Sequence, residues 1–177
     1  ALVAGHSYGA CVALELAARR PERVSAVWAY EPPYGPAASG ADRARMAAIG
    51  ERTIAAAREH GFAAAGEAFF AAVTGNDALE RLSPAARREV RQAGAVTLAE
   101  ATLLGLDLDG LSATRCPVAL VVGGASPPLY RRIARALEAR MPSGRVEILP
   151  GADHRAPVNR PDAVAESILA FAAHVGA

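Results

Sequence analysis

Gly5-His6-Ser7-Tyr8-Gly9 lies between a short apolar run, Leu2 to Ala4, and a stretch of helical periodicity from about Tyr8 to Arg20 that Pro21 stops. A strand that turns through two glycines straight into a helix demands a sheet with that helix packed close behind it, and this narrows the choice of folds sharply. Gly5 and Gly9 are read as the residues that let the backbone turn, so that the Ser7 side chain projects alone from the strand tip.

The rest of the chain continues the alternation. Val24 to Tyr30 is an apolar run suited to a strand buried on both faces, ended by Glu31-Pro32-Pro33. Pro117 introduces a second such run, Val118 to Val122, which closes in Gly123-Gly124. A helix is predicted from about Pro127 to Met141, with Leu129, Ile133, Leu137 and Met141 on one side, followed by a strand from Arg145 to Leu149. Pro161 starts a final helix whose Val164, Ile168, Phe171 and Val175 recur at core spacing. Between about Ser39 and Thr114 the texture turns to Ala, Arg and Glu with apolar stripes, Met46 and Ile49, then Phe62, Phe69 and Val73, broken near Gly75-Asn76-Asp77 and Ser83-Pro84. The fold class is therefore α/β, a mostly parallel sheet formed by 1–38 and 115–177, with 39–114 inserted as a helical cap over it. Ordinary flanking helices without a lid role are the alternative for the insertion.

Composition removes several functions. The 177 residues carry 19 basic and 18 acidic side chains, a net charge of +1, so no electrostatic footprint for nucleic acid or an anionic membrane exists. Every basic residue is Arg, which excludes a phosphate-loop lysine and a Schiff-base lysine. No apolar run reaches the ~20 residues of a membrane span, no Gly-x-Gly-x-x-Gly follows a strand, and a cytoplasmic location is expected. Cys11 and Cys116 are read as small buried residues, and His6, His60, His154 and His174 lack zinc-ligand spacing, so neither a cofactor nor a metal is expected.

A serine hydroxyl needs a neighbouring base before it attacks a carbonyl. Gly151-Ala152-Asp153-His154, just past the last predicted strand, supplies one, since loops at the carboxyl ends of parallel strands are where such a sheet gathers its site. The Tyr8 N–H, at the helix N-terminus behind Ser7, is placed to donate to a developing oxyanion. His60 and His174 are read as helix-surface residues.

These segments, together with Tyr30-Glu31-Pro32-Pro33 and Val121-Val122-Gly123-Gly124-Ala125-Ser126-Pro127, resemble the carboxyl-terminal two-thirds of an α/β-hydrolase, in the family's order and over nearly the whole chain. The resemblance implies hydrolysis of an ester or related carbonyl compound through an acyl-enzyme on Ser7, with His154 as general base and then acid. It also implies a carboxylate in the loop after Val118 to Val122, but that loop has no Asp or Glu before Glu138. Glu31, at the end of the preceding strand, is the substitute, where some relatives place their acid; a purely structural strand-end carboxylate is the alternative. Asp153 is too close in sequence to His154 to orient it, Asp107 and Asp109 belong to the surface, and Ser126 offers a hydrogen bond without charge.

A second departure is that nothing precedes the strand of Ser7, although the family's early strands would flank it and supply the second oxyanion donor. The expectation is a fragment of a longer hydrolase, self-associating through the open edge at Leu2 to Ala4. The partner expected is a small-molecule substrate, with His6 and Tyr34 as candidate contacts; local packing is the alternative for His6. A non-catalytic binding or structural module with the same fold is the competing function.

Overall fold

The computed structural model describes residues 1–102 and 107–176. Among these, four strands form one parallel sheet in the order β1-β2-β3-β4, with β1 Leu2–His6, β2 Ala26–Tyr30, β3 Val118–Gly123 and β4 Gly144–Leu149. The helices are α1 Tyr8–Arg19, α2 Gly40–His60, α3 Phe62–Thr74, α4 Asn76–Glu80, α5 Pro84–Gln92, α6 Gly94–Thr102, α7 Pro128–Glu138, α8 Ala156–Asn159 and α9 Pro161–Val175. All three strand pairings are parallel. The β–α alternation read from the sequence is therefore the observed one, with element ends moved by one to three residues.

The two central strands are buried along their whole lengths, as a sheet covered on both faces requires. Alternate residues of these strands, Ala26, Trp28 and Tyr30 with Ala119 and Val121, join Val164 and Phe171 of α9 in one apolar cluster. The Trp28 indole is satisfied there by Ser167 Oγ at 3.1 Å. Cys11 is buried in α1 as expected, whereas Cys116 is only half-buried before Pro117.

The chain divides into two compact units, Ala1–Ser39 with Leu106–Ala177, and Gly40–Gly105. The return to the sheet unit comes earlier than the 114 read from composition. Leu111 is fully buried, and the Asp107 carboxylate folds back onto the N–H groups of Asp109 and Gly110. The leucines at 103–106 lie outside the described residues.

Small residues bring backbones of the helical unit close together. A Cβ on Gly66 would stand 2.1 Å from the Val90 carbonyl oxygen, and one on Gly94 would stand 1.8 Å from that of Phe62. Ala65 is fully buried, while Phe62 is 59% exposed. Met46, Ile49, Phe69 and Val73 are half-buried. No helix among the described residues is long and apolar enough to cross a membrane.

Candidate active site

The carboxyl ends of all four strands lie at one edge of the sheet, and the chemistry-bearing residues gather there. β1 and β2 pair as far as His6 with Tyr30, and the next residue of each strand continues the ladder sideways. The Ser7 N–H donates to the Tyr30 carbonyl at 2.9 Å, and the Glu31 N–H donates to that of Val121 at 2.9 Å. The turn into α1 is made on Ser7 itself, with φ 55° and ψ −124°, not on a glycine. That corrects the reading of both glycines as turn-makers. Gly5 is required for packing, since a Cβ there would lie 2.3 Å from the Gly9 carbonyl oxygen, whereas a Cβ on Gly9 would meet nothing within 4 Å.

Behind Ser7, the amides of Ala10 and Cys11 turn back to the Ser7 carbonyl. The Tyr8 and Gly9 N–H groups are first-turn donors without an acceptor inside the helix, at its positive end. They give the space beside Ser7 a preference for negative charge.

His154 is presented by the loop after β4, and that loop is pinned from several sides. Gly124 N–H donates to the Leu149 carbonyl at 2.9 Å and Ala125 N–H to that of Ala152 at 2.8 Å. The Tyr30 hydroxyl donates to the Asp153 carbonyl at 2.6 Å, and Arg160 reaches the Pro150 carbonyl at 2.7 Å. Burial first, then the charges of Glu31 and Asp153, push the Tyr30 phenol well above its usual range, so it remains a donor. A Cβ on Gly123 would strike the Ala152 carbonyl oxygen at 2.4 Å. The glycines of this loop allow the His154 loop to dock directly against it.

His154 Nδ1 is 2.7 Å from Glu31 Oε2, and the other carboxylate oxygen accepts the Gly123 N–H at 2.8 Å. Glu31 is completely buried, and the His154 side chain is 19% exposed. Because a carboxylate can only accept here, Nδ1 carries the proton and Nε2 is left as the basic nitrogen. Among the described residues, Ser7 Oγ makes no hydrogen bond to the imidazole; such contacts are commonly loose without substrate. The two groups share the same edge, since the ring of His6, adjacent to Ser7, is 4.7 Å from the ring of His154.

The remaining sequence candidates fall elsewhere. Asp153 caps its own loop, accepting from the Arg155 N–H at 2.9 Å, and Asp109 is a surface residue paired with Arg140 at 3.2 Å. Ser126 Oγ is buried without a hydrogen-bond partner, and the imidazole bond goes to Glu31 instead. Tyr34 is fully buried and its hydroxyl donates to Glu15 of α1, so it packs against that helix and is not among the rings around His154. His6 does stand beside His154. Burial, and after it the neighbouring imidazole, hold its ring below the ordinary histidine range.

Sequence reasoning missed Tyr130. It is 8% exposed in the first turn of α7, and its ring lies parallel to that of His154, with centroids 4.5 Å apart and planes 9° from each other. It belongs to the stripe that includes Leu129 and Ile133, and nothing in the pattern distinguished it from ordinary core. Among the described residues, no group of three or more His, Cys, Asp or Glu side chains could hold a metal ion.

The sequence profile of the Alpha/beta hydrolase family matches residues 1–167. The chain belongs to that family. Solved structures agree in fold. A carboxylesterase structure from the ammonia-oxidizing thaumarchaeon Nitrososphaera gargenis matches with a TM-score of 0.72 at 20% identity, covering 99% of this chain and 65% of its own. An alpha/beta hydrolase from Sphaerobacter thermophilus matches with a TM-score of 0.71 at 24% identity, over 97% of this chain and 66% of its own. The enol-lactonase from Burkholderia xenovorans matches with a TM-score of 0.61 at 20% identity, over 95% and 64%. The chain spans about two thirds of the length of these structures. No curated protein sequence matches it.

Proposed function

We propose that this hydrolase cleaves an ester, or a closely related carbonyl compound of small size, through an acyl-enzyme on Ser7. The observation that carries the reading is the 2.7 Å bond between Glu31 Oε2 and His154 Nδ1, made by a fully buried carboxylate at the strand edge where Ser7 turns outward. In this reading His154 Nε2 takes the Ser7 proton as Oγ adds to the substrate carbonyl, and Glu31 stabilises the imidazolium that results. The Tyr8 N–H donates to the oxyanion. Collapse expels the alcohol, which receives the proton from His154 and leaves the acyl group on Oγ. A water then loses its proton to the same nitrogen, adds to the acyl carbon and releases the acid, returning the proton to Ser7.

Glu31 in this account replaces the carboxylate of the loop after β3. Carboxylesterase and lactonase structures among the matches are consistent with an oxygen-ester substrate. The test is turnover of short p-nitrophenyl esters by the purified chain. Hydrolysis that Ser7→Ala and His154→Gln each abolish supports the reading. A folded chain with no turnover, and tight retention of a small acyl ligand, would instead favour a binding module.

A further inference from the structure

Two rings and one carboxylate surround His154. Glu31 fixes Nδ1 at 2.7 Å, Tyr130 lies flat against the imidazole at 4.5 Å and 9°, and His6 closes in at 4.7 Å with its plane tilted by 49°. A single hydrogen bond fixes one atom of a ring and leaves the ring free to pivot about it. A parallel aromatic face restricts tilting of the ring, because tilting would separate or drive together two flat surfaces already stacked. The backbone supports the same end: Pro127 precedes α7, Pro128 is its first residue, and the Tyr130 N–H donates to the Pro127 carbonyl at 3.2 Å. Ile133, Ala134 and Leu137, on the same side of α7, are fully buried, so the helix that carries Tyr130 is anchored in the core.

We infer that Tyr130 is a positioning residue for His154, holding the imidazole plane so that Nδ1 stays on Glu31 and Nε2 stays directed toward the Ser7 side of the site. The inference rests on the reading of His154 as the base. Tyr130 touches no reacting atom in it and acts only through the imidazole. Its flat face also favours the imidazolium formed during reaction, since a cation over an aromatic ring is attracted to it. This role requires the ring and not the hydroxyl, so Tyr130→Phe keeps it and Tyr130→Leu removes it.

The experiment compares the full chain with Tyr130→Phe, Tyr130→Leu and Tyr130→Met, each checked for a wild-type circular dichroism spectrum. The His154 tautomer is read from long-range proton–nitrogen NMR spectra above neutral pH, and p-nitrophenyl ester turnover is read in parallel. Wild type and Tyr130→Phe are expected to show a single Nδ1–H tautomer. Tyr130→Leu and Tyr130→Met are expected to show a second, Nε2–H population, with kcat down about tenfold and KM within about twofold, the loss expected when stabilisation of one ring's productive state is removed. Tyr130→Met keeps the position filled should Tyr130→Leu not fold. A single Nδ1–H tautomer in a folded variant lacking the ring overturns the inference, whatever its rate. A wild-type chain without turnover would remove the hydrolase reading, while the tautomer comparison still decides whether Tyr130 orients His154.

Discussion

Ser7 and Glu31 occupy matching places on neighbouring strands and share an unusual backbone. Their predecessors His6 and Tyr30 are register partners, and the residue after each turns to positive φ, 55° at Ser7 and 49° at Glu31. Among the described residues, these are the non-glycine positions with positive φ. Such conformations cost on the order of 1–3 kcal/mol each and persist only where the surroundings over-determine them. Here parallel-sheet hydrogen bonds from both N–H groups, to Tyr30 and to Val121, hold the chain in place as it turns.

The strain at Ser7 makes a prediction about stability. Ser7→Gly should be more stable than Ser7→Ala by about 1 kcal/mol, because glycine has no Cβ to oppose this backbone. Both should be inactive. Chemical denaturation of the two variants checks the ordering, and equal stabilities would show that the turn is relaxed.

The two glycines of the elbow should respond in opposite ways. Gly5→Ala places a Cβ 2.3 Å from the Gly9 carbonyl, a backbone atom that cannot swing aside, and should cost at least about 3 kcal/mol or prevent folding. Gly9→Ala meets open space within a helix and should be neutral or stabilising by up to about 1 kcal/mol. Thermal melts of the pair test this.

Glu31→Gln keeps the shape of the buried side chain but removes the charge that an imidazolium needs. Turnover should fall by about 10⁴, the scale seen when a serine protease triad loses its carboxylate, with the fold retained. Glu31→Ala should also cost about 1–3 kcal/mol of stability, because the buried Gly123 N–H loses its acceptor. A Glu31→Gln variant with near-wild-type turnover would assign the carboxylate a structural role alone.

His6 gives the pH dependence. Its folded-state pKa lies below that of the unfolded chain, so the unfolded state binds the proton first as pH falls. Its share of stability is complete above the unfolded value of about 6.5 and is lost as pH drops below that toward the folded value. His6→Phe should flatten this acid limb, as read from urea midpoints between pH 7.5 and 5. An unchanged slope would show that the ring protonates freely in the folded state.

Much of the fold was legible because short continuous apolar runs and helical apolar patterns alternate and are punctuated by Pro21, Pro117 and Pro161, each of which interrupts or opens an element. The candidate site was legible where backbone chemistry leaves a local mark: Ser7 between glycines, His154 after a strand, and Glu31 before Pro32-Pro33. Tyr130 was not, because a ring on a helix face reads as core until the opposing loop is known. The role of Gly9 was overstated for a related reason. Sequence shows that a glycine is present, but whether space or conformation demands it depends on the neighbour, and here the demand falls on Gly5 and on Ser7 itself. The tight contacts at Gly66 and Gly94 were not legible, because they arise only when the helices are assembled.

The most direct measurement is treatment of the purified chain with a fluorophosphonate, followed by intact-mass analysis and peptide mapping. A serine activated by the Glu31–His154 pair should take up one phosphonyl group on Ser7, with none on Ser7→Ala and labelling slowed at least about a hundredfold in His154→Gln. A folded chain that leaves Ser7 unmodified, or labels equally well without the imidazole, would contradict the account.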